Sequence, residues 1–189
     1  GKKTVSTEKT IGNVKYTFDE KGVAQDAWVH NSDKKTWKYY GDEEEPKLHT
    51  GWFEAVPDKD LNPNDHESGT THWYYANSKG EITIPTDDGE HGITKTIDGK
   101  SYLFNDNGEM VTGLRILTYD GSKITNFSSE VDSVDRVKEM DSNTQKLVYF
   151  GDNGAAKTGV TTVSFDGSNY TFNFKSNGSP RGVGETGMS

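Results

Sequence analysis

Apolar and polar positions alternate over short runs along this chain, and the clearest run is Ile97 to Leu114, IDGKSYLFNDNGEMVTGL. Tyr102 and Phe104 fall on one face and Ser101, Leu103 and Asn105 on the other, a period of two that predicts a half-buried strand. Asp106-Asn107-Gly108 follows, residues that tolerate left-handed backbone angles and so predict a tight turn. Glu109 to Thr112 reads as a second short strand ending at Gly113. One such hairpin is marginal in water, so it requires neighbours of its own kind.

The same frame recurs. With the turn glycine as reference, the residues six and four positions before it are Tyr16 and Phe18 for Gly22, Tyr74 and Ala76 for Gly80, Val148 and Phe150 for Gly154, and Phe172 and Phe174 for Gly178. A further copy, TWKYYGDEEE, fits when Trp37 is aligned with Trp73, which puts Tyr40 at the Phe104 position and Glu44 at the turn. Five residues after the turn glycine stands a small residue, Ala27, Gly113 or Gly159, with Val183 as the exception; Trp28, Leu114 and Val160 come next. In the second copy the equivalent Gly51-Trp52 follows the acidic bend Glu43-Glu44-Glu45-Pro46.

Self-similarity of this kind predicts an all-β chain, an elongated solenoid of about six stacked β-hairpin repeats with inserted loops. The repeats are placed at 11–28, 35–52, 71–86, 97–114, 145–160 and 168–184 of a single array, 1–189. Insertions occupy 54–70 and 115–144. Pro57 to Thr70 is polar and punctuated by Pro and Gly, predicting a surface loop. In the second insertion Val131, Val134, Val137 and Met140 recur at a spacing of three behind Ser128 and Ser129, which predicts a short helix around 129–140 capped by one of those serines, with an extended hairpin as the alternative.

Composition changes the picture in one respect. Only 30% of residues are hydrophobic, yet 11% are aromatic, so the apolar surface is concentrated in rings delivered at intervals. The net charge of −9 repels phosphate backbones and argues against a nucleic-acid partner. With no cysteine, disulfides and thiolate metal sites are excluded. No apolar run has the length of a membrane helix.

Candidate chemistry is sparse. The histidines His30, His49, His66, His72 and His91 are scattered, with no His-Glu-x-x-His spacing, and His66-Glu67 reads as a solvated loop pair. The turns at Asn105 to Gly108 and Gly151 to Gly154 lack the later Glu of a calcium-binding EF-hand loop. No nucleophile elbow and no phosphate-cradling glycine loop is present. The reading is therefore of no enzyme, no catalytic residue, no metal ligand and no cofactor.

Trp-Tyr-Tyr before a turn glycine and Thr-Gly before a large residue, as in GKSYLFNDNGEMVTG, KLVYFGDNGAAKTG and DGSNYTFNFKSNG, resemble the cell-wall-binding or choline-binding repeat family of Gram-positive surface proteins and the related glucan-binding repeats. The resemblance implies a secreted or surface location, cell wall or extracellular, and a module accompanying a catalytic or adhesive domain. It also implies ligand sites between hairpins, where rings from neighbouring repeats box the choline of teichoic acid or stack on sugars. Carried over to this chain, Trp28 would face Trp37 and Tyr39 or Tyr40, and Trp52 would face Trp73 and Tyr74 or Tyr75. Leu114 and Val160 stand where Trp is expected later, so the binding expectation is confined to the first half. The alternative is a structural spacer or protein-interaction stalk in which those rings are buried.

Overall fold

The computed structural model describes residues 8–11, 14–17, 28–41 and 47–174. Phe18, Gly22, Ala27, the acidic bend around Glu44, and Gly178 and Val183 lie outside the described residues. The chain forms two compact units, residues 1–86 with 107–109, and 87–106 with 110–189.

In the first unit the strands pair as antiparallel hairpins: β1 (Glu8–Ile11) with β2 (Val14–Thr17), β3 (Trp28–Asn31) with β4 (Thr36–Tyr39), and β5 (Gly51–Ala55) with β6 (His72–Ala76). Between β5 and β6 the predicted loop contains a helix, α1 (Pro63–Ser68). Local chemistry accounts for it: the Asn62 side chain caps by accepting from Asp65 N, Pro63 opens the first turn, and Gly69 closes the last at φ 72°. The unit's core is Trp28, Trp37, Phe53, Ala55, Leu61, Tyr74, Ala76, Ile82 and Ile84.

In the second unit β7 (Ile93–Ile97), β8 (Lys100–Phe104) and β9 (Met110–Val111) make one sheet, and β10 (Gly113–Asp120), β11 (Lys123–Phe127) and β12 (Gln145–Phe150) another, in the order β11-β10-β12. The helix α2 (Val134–Lys138) precedes β12, and β13 (Gly159–Phe165) pairs with β14 (Ser168–Phe174). Both sequence readings of the second insertion are present, a hairpin extension and then the helix. The cap is Ser133, however, and Ser128 Oγ instead accepts from Ile116 N at 2.9 Å.

The chain is thus all-β apart from two short helices among the described residues, but its hairpins are offset from the predicted ones. Lys100 to Phe104 pairs over five positions with β7 across Asp98-Gly99, and only Leu103 and Phe104 pair forward with Val111 and Met110. Around Gly80 and Gly154 the forward pairing shrinks to single bridges, Ala76 with Ile82 and Phe150 with Ala156. The reason is turn geometry. Asp98 and Gly99 have φ of 51° and 79°, and Asp166 and Gly167 have 52° and 73°, the left-handed pair whose twist matches that of the flanking strands.

The turn glycines of the repeat do something else. Gly108 has φ 74°, and a Cβ there would lie 2.7 Å from Ile82 Cδ1. A Cβ on Gly80 would collide with Leu48, and one on Gly154 with Met110. Ile82 and Met110 each stand two residues past a turn glycine, so within each unit a side chain from one copy's turn seats under the glycine of the next. Glycine is required both for the backbone angle and for this close approach.

Candidate functional site

The aromatic candidates sort by strand face. In β5 and β6 the register pairs Trp52 with Tyr75, Phe53 with Tyr74, and Glu54 with Trp73. Side chains alternate across a strand, so Trp52, Glu54, Trp73 and Tyr75 share one face while Phe53, Tyr74 and His72 share the other. The first of these faces is the open one. Trp73 is 44% exposed, and Trp52 and Tyr75 are half-buried with ring centroids 5.2 Å apart in an edge-on arrangement.

The second face is core. Tyr74 is fully buried, stacked on Phe53 at 5.5 Å and edge-on to Trp28 at 5.0 Å. Trp28 and Trp37 do meet, at 6.3 Å, and Tyr39 lies 4.9 Å from Trp28. Both tryptophans are buried, Trp28 Nε1 donates to Val56 O at 2.9 Å, and Phe53 fills the remaining side of the group at 5.9 Å. Trp28 and Trp37 thus belong to the core of the first unit, with Tyr39 packed against it. Tyr40 is half-buried beside Gly41 and takes part in none of these ring contacts. Of the two predicted groupings, one is packed into the core, and the other is divided between Tyr74 inside and Trp52, Trp73 and Tyr75 outside.

Histidines extend the aromatic set in a way the sequence did not announce. His30, itself exposed but on the same face of β3 as Trp28, stacks on its pairing partner Trp37 at 4.2 Å and 13°, capping that ring. His49 lies against Tyr39 and Phe53, and burial, followed by the Lys47 charge, lowers its pKa.

A polar cluster also emerges that sequence reasoning missed. His72 Nε2 lies 2.6 Å from Asp65 Oδ2 and 3.5 Å from Glu109 Oε2. The Asn62 amide donates to both carboxylates, at 3.0 Å to Asp65 Oδ2 and 2.8 Å to Glu109 Oε2. The helix α1 places Asp65, the first residue of β6 is His72, and Glu109 follows the turn at Gly108. Three positions so far apart in sequence carry no ligand spacing. The one available signal was the Asn62-Pro63 cap, which marks a helix where a loop was read.

No family model matches the chain, and no curated protein matches it. Solved structures similar to it include choline binding protein F from Streptococcus pneumoniae, 17% identical over 96% of this chain and 52% of that one, with a TM-score of 0.33. A multimodular pneumococcal cell-wall endolysin from phage Cp-1, complexed with choline, is 19% identical over 87% of this chain and 37% of that one, TM-score 0.38. Alternansucrase in complex with isomaltononaose is 15% identical over 97% of this chain and 15% of that one, TM-score 0.23. The chain therefore spans about half the length of choline binding protein F and less of the other two.

Proposed function

We propose that this protein is a non-catalytic binding module, secreted or held at the cell surface, that attaches to a wall polymer or extracellular glucan by aromatic stacking. The observation that carries the reading is the exposed ring of Trp73 on the same strand face as Trp52 and Tyr75, with Glu54 as its cross-strand neighbour. A single exposed ring is ordinary on a soluble protein, whereas rings grouped on one face mark an interaction surface. Their faces are electron-rich and attract either the polarised C–H bonds of a sugar or the quaternary ammonium of choline, the latter with roughly 0.5–2 kcal/mol per contact. No helix among the described residues is long and apolar enough to cross a membrane.

The spacer reading is supported locally by the burial of Trp28, Trp37 and Tyr74. Titrating choline, choline-bearing teichoic acid and α-glucans separately against tryptophan fluorescence discriminates the two. The binding reading expects a saturable change with one of these ligands that Trp73→Ala removes. Silence from all three leaves the spacer.

A further inference from the structure

We propose that Asp65, His72 and Glu109 bind one divalent transition-metal ion of the Zn²⁺ class, through Asp65 Oδ2, His72 Nε2 and Glu109 Oε2. This site lies within the first unit and is independent of the aromatic face.

The donor set is the first reason. Glu109 is almost wholly buried, with a side chain only 6% exposed, and its carboxylate meets an imidazole and a second carboxylate. One nitrogen and two carboxylate oxygens converging at one point are the donors that a divalent transition-metal ion takes.

Geometry is the second. The three ligand atoms all lie within 4.8 Å of one another. Metal–ligand bonds of about 2.0–2.2 Å in a tetrahedral site give ligand separations of about 3.3–3.6 Å. The His72 to Glu109 distance of 3.5 Å already matches, and the His72 to Asp65 distance of 2.6 Å requires one carboxylate to withdraw by less than about 1 Å. Asp65 and His72 are partly exposed, which gives an ion its path in. Asn62, bonded to both carboxylates, holds them in place as an outer partner.

The third reason is the Tyr74 hydroxyl. It is buried, and no described group lies within hydrogen-bonding distance of it. Tyr74 stands two residues after His72 on the same strand and emerges on the same face. A water on the fourth coordination position would give this hydroxyl the partner it lacks. One nitrogen and two carboxylates with an open position suit Zn²⁺ better than Ca²⁺, which takes six to eight oxygens. The metal takes Nε2 of a neutral imidazole, so the proton there moves to Nδ1, or leaves to solvent if the ring carries two.

The test is calorimetric titration of the full chain with ZnCl2 in a non-chelating buffer, paired with thermal melting. One equivalent should bind and raise Tm, while CaCl2 at the same concentration does neither. His72→Gln, Glu109→Gln and the partly exposed Asp65→Asn should each weaken Zn²⁺ binding at least about tenfold, and Tyr74→Phe should weaken it by about 10–100-fold as an outer partner. Far-UV circular dichroism of the metal-free variants reports which of them fold. His91→Gln should bind as the wild type does. No stoichiometric Zn²⁺ binding by the wild type, an unchanged isotherm in the folded ligand variants, or an equal loss in His91→Gln would each overturn the site.

Discussion

The outer faces of β5–β6 and β13–β14 occupy the same place in the repeat and are built oppositely. In the first, Gly51 is followed by Trp52 opposite Tyr75, and two positions on Glu54 stands opposite Trp73. In the second, Gly159 is followed by Val160 opposite Asn173, and Thr162 stands opposite Thr171, their hydroxyls 3.1 Å apart. Val160 is 74% exposed, yet as a lone aliphatic among Thr and Asn it forms no patch. A third copy shows another outcome. Leu114, opposite Tyr149, is 2% exposed because the insertion returns over it with Val131 and with Val137 of α2. One backbone position is therefore an aromatic platform, a covered core or a polar surface, depending on what lies opposite and above it.

The inward-facing residues should resist change most. Phe53→Ala, which empties a position ringed by Trp28, Tyr39 and Tyr74, should cost about 3–5 kcal/mol, read from the urea midpoint at constant m. Leu114→Ala should cost about 2–4 kcal/mol although its repeat position matches that of Val160; a loss below about 1 kcal/mol would mean that the insertion does not seal this face. Gly108→Ala forces a side chain into φ 74° against Ile82 and should cost about 2 kcal/mol by the same measurement. Trp73→Ala should change stability by about 1 kcal/mol or less while abolishing ligand-induced fluorescence change; a loss comparable to Phe53→Ala would make this ring core and break the comparison. The smallest effect concerns His49. Its folded pKa lies below the ordinary 6.5, so the unfolded chain takes up the proton first and stability falls as pH drops below about 6.5. His49→Gln should flatten that part of the stability–pH curve.

Much of the architecture was legible because it rests on local chemistry. Tyr102 and Phe104 alternate with their neighbours, and Asn-Gly and Asp-Gly pairs demand left-handed backbone. Yet the partner of the ring-bearing strand was misplaced. Sequence patterning marks a turn at Asp106 to Gly108 as readily as one at Asp98-Gly99, and a strand has two edges, so alternation alone cannot say which turn closes the longer ladder. In the structure Asp98-Gly99 and Asp166-Gly167 close the longer ladders.

What the sequence determined by itself is the all-β class, the recurring hairpin frame, the turn glycines and the confinement of tryptophan to the first half. Each follows from properties a residue carries wherever it goes: its backbone freedom, its bulk, its place in a period of two. Tertiary structure alone decided which rings are buried and which are open, because Trp28 and Trp52 share a repeat position and differ only in what packs on them. It likewise decided that Asp65, His72 and Glu109 meet, since that depends on a capped helix, a strand start and a distant turn arriving at one point. Pattern along a chain records a residue's face, and only packing records what that face meets.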